Sequence, residues 1–186
     1  PQGNNWDCSY NIYLKQQGED LVMFDGNSRA DVYTRQSDGT WAMPGFFQEI
    51  RRNADGTYRM IFADQSEWQF AALNSTPASG KLLASADRHG NRMLFRYDGQ
   101  GRVDQITDTL DRLIRIAYNP QGLVSTVTDF LGRQVRYTYY NGVEPGGSAG
   151  DLKSVTTPSV VGTPNGNDFP SGKTTTYSYS TGFRDE

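Results

Sequence analysis

Residues 82–102 read LLASADRHGNRMLFRYDGQGR, residues 103–123 read VDQITDTLDRLIRIAYNPQGL and residues 124–143 read VSTVTDFLGRQVRYTYYNGV. The three segments superimpose at a spacing of 21. Asp87, Asp108 and Asp129 fall together, as do Gly90, Asp111 and Gly132, then Phe95, Ile116 and Tyr137, then Tyr97, Tyr118 and Tyr139. A fixed period of this size marks a repeat architecture, whose units are small supersecondary elements that bury their apolar face only by stacking. Such arrays build surfaces and walls, so the first inference concerns construction rather than catalysis.

Within each segment the apolar period is two. Met93, Phe95 and Tyr97 alternate with Leu94, Arg96 and Asp98; Ile114, Ile116 and Tyr118 alternate with Arg115 and Ala117; Val135, Tyr137 and Tyr139 alternate with Arg136 and Thr138. One face of a sheet is therefore expected to be packed and the other mixed or polar. A shorter run precedes each Asp: 82–86, 103–107 and 124–128. Val103 with Ile106 and Val124 with Val127 are three apart, which strict alternation does not give, so a bulge or turn is expected at the first of each pair. Two turns close each unit, one at Asp87–Asn91 and its equivalents, the other at Asp98–Gly101 and Asn119–Gly122. No dozen residues carry a helical period, and the fold class is all-β, built of antiparallel hairpins.

A fourth, stretched unit follows near 152–180. GKTTTYSYS from Gly172 aligns with GRQVRYTYY from Gly132, which puts Tyr177 and Tyr179 on Tyr137 and Tyr139. Two Gly/Pro-rich insertions, 143–151 and 158–171, read as loops. Residues 1–75 are expected to form irregular hairpins that open the array, with strong turns at Asp25-Gly26, Asp38-Gly39 and Asp55-Gly56. Residues 76–186 are the repeat strip, with units near 82–102, 103–123, 124–142 and 152–180, and 76–80 is the expected seam. The end at Phe183-Arg184-Asp185-Glu186 carries no capping sequence, so the last strand is expected to pair with something further.

Composition agrees with a sheet protein. Hydrophobic residues are 35% of 186, low for one compact core, whereas 11 Tyr suit flat, half-buried faces. A net charge of −3 with interspersed signs argues against nucleic acid as a partner. No apolar run approaches a membrane span, and PQGNNWDCSY lacks the basic and apolar regions of a secretory signal, as expected of a piece of a longer protein. The single cysteine, Cys8, excludes an intrachain disulfide and a cysteine zinc site, and reads as a passive residue.

The recurring pattern is Tyr-Asp/Asn-x-x-Gly, about eight residues of strand, then Thr-Asp-x-x-Gly-Arg and an aromatic strand. It is carried by RYDGQGRVDQITDTLDR and AYNPQGLVSTVTDFLGRQVRYTY. This resembles the YD repeats of the RHS family, which includes the shells of bacterial polymorphic toxins and the teneurin barrels. The likeness is close over 82–140 and looser over 152–180. The preamble WDCSYN, MFDGNSRADVYTRQSDGTW, DGTYRMIFADQSEWQF and KLLASADRHGN is similar to the segment before the repeats of bacterial members. The resemblance implies a curved strip of a larger β-shell, secreted or at the bacterial cell surface. Its partners would be further YD repeats of the parent chain and an encapsulated toxin domain. The family's self-cleaving Asp-Pro-x-Gly-Leu-like signature is missing. Its nearest string, Asn119-Pro120-Gln121-Gly122-Leu123, has Asn for Asp and reads as a turn.

The residues that define the repeat are therefore read as structural: Asp87, Gly90, Tyr97, Gly101, Asp108, Tyr118, Gly122, Asp129, Gly132, Tyr139, Gly172, Tyr177 and Tyr179. The aspartates could be imagined as a calcium ladder, but neither a GGxGxD nor an EF-hand pattern occurs, and each is expected to accept hydrogen bonds from its own turn. His89, the one histidine, reads as a turn-surface residue. Nothing in the sequence pairs Glu49, Glu67 or Glu144 as glycosidase carboxylates. The tyrosine ladder is read first as cross-strand packing, with a sugar platform or a cage lining as alternatives. Trp6, Trp41 and Trp68 all precede the repeats, which speaks against the Trp-per-unit sugar binders. Asn74-Ser75-Thr76 matches the glycosylation sequon. No catalytic residue, cofactor, metal or membrane insertion is expected. The alternative function is a free-standing adhesion or glycan-binding surface.

Overall fold

The structure, a computed structural model, describes residues 3–4, 7, 9–27 and 29–180. Trp6, Cys8 and the end at 183–186, named above, lie outside the described residues. The fold is all-β: among the described residues there are fifteen strands and no helix, and within each compact unit successive strands pair antiparallel in chain order. Two compact units divide the chain, one of Asp7–Leu113 and one of Pro1–Trp6 with Ile114–Glu186.

The first unit contains β1 (Tyr13–Gln17), β2 (Asp20–Phe24), β3 (Ala30–Arg35), β4 (Trp41–Ala42), β5 (Gln48–Arg52), β6 (Tyr58–Phe62), β7 (Glu67–Phe70), β8 (Leu82–Ala86), β9 (Arg92–Tyr97) and β10 (Val103–Thr107). Its inward rows follow from the register. Leu21 faces Tyr33; Trp41, Ile50 and Met60 share a row; Tyr58, Phe70 and Leu82 share another. All of these are buried. The sheet rolls until its first strand meets the start of β8. Leu14 N–H donates to the Gly80 carbonyl at 2.8 Å and Leu82 N–H to the Ile12 carbonyl at 3.1 Å, around a bridge between Tyr13 and Lys81. That closure covers the outer edge of β1, which would otherwise present unpaired backbone groups. The stretch 76–80 is part of the turn joining β7 to β8, whose pairing extends to Ala71 N–H on the Lys81 carbonyl at 2.8 Å.

The second unit contains β11 (Leu113–Tyr118), β12 (Val124–Thr128), β13 (Gln134–Tyr139), β14 (Leu152–Thr156) and β15 (Thr174–Thr176). The expected alternation is present: along β13, Gln134, Arg136 and Thr138 are exposed while Val135, Tyr137 and Tyr139 are half-buried. The core is unevenly shared. Among the described residues, every apolar side chain less than 2% exposed belongs to the first unit, whereas the second buries only Val124, Tyr140 and Leu152.

The bulges fall where the three-residue spacing asks for them. Tyr97 faces Val103 but Arg96 faces Gln105, which leaves Asp104 as the extra residue. The same slip sets aside Leu83, Ser125 and Lys153. One extra residue reverses the alternation, so Val103 and Ile106 both turn inward and both are buried.

Candidate functional site

The repeat-defining residues first resolve into one turn used many times. Asp98 N–H donates to the Arg102 carbonyl at 2.9 Å and Gly101 N–H to the Asp98 carbonyl at 3.0 Å. This is a tight hairpin turn whose fourth position is left-handed. The same pair of bonds closes the turns at Asp87, Asp108, Asn119 and Asp129. Their left-handed residues are Gly90, Gly101, Asp111, Gly122 and Gly132, with φ from 57° to 85°. Gly172 has φ 79° where β15 begins. Asp111 shows that a short polar side chain is accepted at this position.

Each aspartate is occupied by its own turn. Asp108 Oδ1 accepts the N–H groups of Leu110 (2.9 Å) and Arg112 (3.0 Å), and Oδ2 accepts Arg112 Nε at 2.7 Å. Asp129 does the same with Leu131 and Arg133, and Asp98 with Gln100 and Arg102. Asp87 uses His89, Asn91 and the Asn91 amide. The Arg112 side-chain bond, then the backbone bonds, hold Asp108 below the ordinary carboxylate range. At Asp98 and Asp129, desolvation pushes the other way and is outweighed by the arginine backbone and side-chain bonds. His89, Leu110 and Leu131 occupy one position of the turn and all are exposed.

The tyrosines are tied to the bulges. Tyr97 donates its hydroxyl to the Leu82 carbonyl at 2.6 Å, Tyr139 to Val124 at 2.7 Å and Tyr179 to Leu152 at 2.9 Å. The acceptor is each time the residue at which the bulge begins. Pairing of β8 with β9 stops at Ala84, and that of β12 with β13 stops at Thr126. The hydroxyl therefore reaches a carbonyl left over where the ladder has ended. Burial raises the Tyr139 phenol above its ordinary value, with a smaller contribution from Tyr137. Tyr118 holds the matching position on β11, half-buried. The period predicts the rings; their hydroxyl task is visible only with the bulge. Tyr177 lies outside β15, and its N–H donates to the Lys153 carbonyl at 2.9 Å.

The 143–151 insertion, expected as a loop, is fixed in place. Tyr179 N–H donates to the Gly146 carbonyl at 2.8 Å, and Tyr140 packs so closely on Gly147 that no Cβ fits there. Asn4 bonds the Gly150 and Ala149 carbonyls and, at 2.9 Å, Asp151 Oδ1. Glu144 is bound to Lys153 Nζ at 2.6 Å. The 158–171 insertion is a hairpin bridged by Val160 and Phe169, with Asp168 capping Gly162 and Thr163.

A site that the period does not reveal lies in the first unit. A cleft of about 570 Å³ opens at the rim where β1–β2, β3–β4 and β5–β6 turn, bordered by Gln16, Glu19, Arg35, Trp41, Arg52 and Tyr58. The Arg35 guanidinium lies 4.6 Å from the Trp41 ring centroid, and the Trp41 indole N–H donates to the Glu19 carbonyl at 2.8 Å. The signal was present at another spacing: RQSDGTW (35–41) and RNADGTY (52–58) are 17 residues apart, so Arg35 matches Arg52 and Trp41 matches Tyr58.

The carboxylate candidates meet in part. Glu49 and Glu67 both face Ile61, from β5 and β7, which sets their backbones roughly 10 Å apart on one face. Glu49 is bound by Arg51, and Glu67 lies 3.4 Å from Arg59, while Glu144 lies in the other unit. Among the described residues no group of three or more His, Cys, Asp and Glu is placed to hold a metal ion. Asn74 uses its side-chain oxygen on Thr76 N–H and hydroxyl. No family model and no curated protein matches this chain.

Proposed function

We propose that the chain is a non-enzymatic wall segment of an RHS-type β-shell, in which hairpin units added in series enclose or display a toxin or other cargo of a longer, secreted or cell-surface protein. The observation that carries this reading is the half-covered apolar face of the second unit. Ile114, Ile116, Val135 and Tyr137 stand on one side of β11 and β13, and none of them is buried. Apolar surface kept in register but left half-wet gains by being covered, and in a repeat array the cover comes from added units or from what they surround. The exposed edge strand β15 supports the same reading, because a further hairpin has backbone groups to pair with there. The aspartates and tyrosines serve turns and bulges, which is the chemistry of a wall.

The test is limited proteolysis and electron microscopy of the parent protein. A hollow particle whose C-terminal segment resists protease until the shell is denatured is the expected result. A particle without enclosed volume, or a C-terminal segment cleaved as fast as in isolation, overturns the proposal.

A further inference from the structure

We infer that the rim cleft of the first unit binds a hydroxylated carboxylate of the uronate type, held by Arg35 and Arg52. Both guanidiniums belong to residues that immediately precede a turn of the same kind. Arg35 faces Trp41 and Arg52 faces Tyr58 across their ladders, so the 17-residue relation sets one arginine opposite one aromatic residue at neighbouring places on the rim. Neither arginine has an ion-pair partner among the described residues.

The nearby acids are otherwise engaged, with one exception. Asp20 accepts the Arg35 backbone N–H at 3.0 Å, Asp38 accepts the Thr40 N–H and hydroxyl, and Asp55 those of Thr57. Glu19, at the border of the cleft, is the exception. Two planar donor forks suit a carboxylate. Glu19 disfavours a compact dianion such as phosphate but accepts hydrogen bonds from hydroxyls. The Gln16 amide nitrogen is spent on the Gly18 and Asp20 carbonyls, so its oxygen remains as a second acceptor. Donors and acceptors are thus divided as a sugar acid divides them. Trp41 and Tyr58 are 3% and 5% exposed, so the rings serve as a floor and offer no face for stacking a neutral sugar. The volume of about 570 Å³ lies within the ordinary range for a small-molecule site.

The experiment is calorimetric titration of the 186-residue chain with glucuronate, glucose and inorganic phosphate, with the Trp41 indole N–H followed by NMR. Glucuronate is expected to bind and shift the Trp41 resonance, with glucose and phosphate each about tenfold weaker or worse. Arg52→Gln, which leaves the Arg35–Trp41 contact in place, is expected to weaken glucuronate by about tenfold or more. Circular dichroism checks that this variant is folded, and Arg35→Lys, which keeps the charge without the fork, provides a second loss of affinity. A Trp41 resonance unmoved by glucuronate overturns the inference, as does equal affinity in Arg52→Gln and Arg35→Lys, or glucose or phosphate matching glucuronate.

Discussion

Tyr139 donates its hydroxyl to the carbonyl of Val124 at 2.7 Å, at the residue where β12 bulges. Val124 is 3% exposed, so its carbonyl has little water to fall back on. Tyr139→Phe keeps the ring and strands that acceptor, which costs about 1–2 kcal/mol. Urea unfolding should show the loss without a change in slope. Tyr97→Phe should do the same through Leu82. Stability equal to the parent in both variants would mean that the ring alone matters.

The burial of the same phenol gives an alkaline limit. The Tyr139 phenol is raised above its ordinary value of 10.0, because burial disfavours the phenolate and Tyr137 adds to it. A raised folded value favours the protonated form in the fold. Its stabilisation is complete below the unfolded value and is lost as pH rises above about 10 toward the folded value. Melting temperatures measured from pH 8 upward should fall more steeply for the parent than for Tyr139→Phe. Parallel curves would remove Tyr139 from the account.

How much of this could be read in the chain depends on the sequence distance over which each contact closes. Hairpins, the 21-residue units and the bulges are local, and Val103 with Ile106 betrays a bulge because one extra residue must reverse the alternation. Tyr179 takes the place of Tyr139 across two insertions: its hydroxyl meets the Leu152 carbonyl as that of Tyr139 meets Val124. The closure of the first unit, Leu14 on Gly80 and Ile12 on Leu82, leaves no periodic trace, since two stretches of backbone make it. Glu49 and Glu67 meet across Ile61 for a similar reason: register decides it, and the turns between them have different lengths. The 143–151 insertion has a loop-like composition, yet Tyr140 and Asn4 give its glycines packing partners. The cleft leaves no mark in the 21-residue period, because the segment that forms it repeats at 17, as RQSDGTW (35–41) and RNADGTY (52–58).

Two glycines with the same backbone separate conformational cost from crowding. Gly132 has φ 78° and open space where a Cβ would stand, while Gly101 has φ 74° and a Cβ there would overlap the Pro77 carbonyl. Gly132→Val should cost about 1–2 kcal/mol, the backbone term alone. Gly101→Val should cost about 1–3 kcal/mol more, since the 76–80 segment must also move. Thermal melts rank the two, and an equal loss would mean that the Pro77 contact is readily relieved.

The edge at β15 offers the sharpest check on the wall reading. Thr157 N–H donates to the Lys173 carbonyl and Tyr177 N–H to the Lys153 carbonyl, each at 2.9 Å. Narrow pairs recur at every second residue of an antiparallel ladder, so Thr175 faces Val155 as such a pair. The backbone N–H groups of Thr174 and Thr176 then point away from β14. In β13, by contrast, strands lie on both sides: Val135 faces Val127 of β12, and Arg136 and Thr138 face Thr156 and Ser154 of β14. Hydrogen exchange in dilute solution should leave Thr175 protected and Thr174 and Thr176 fast, with Val135, Arg136 and Thr138 of β13 slow. Adding a further 21-residue unit after residue 186 should slow Thr174 and Thr176 and leave Thr175 nearly unchanged. If those two amides are already as slow as β13 in a proven monomer, the edge is covered within this chain. It then has no place for a next unit, and the proposal of a wall segment fails.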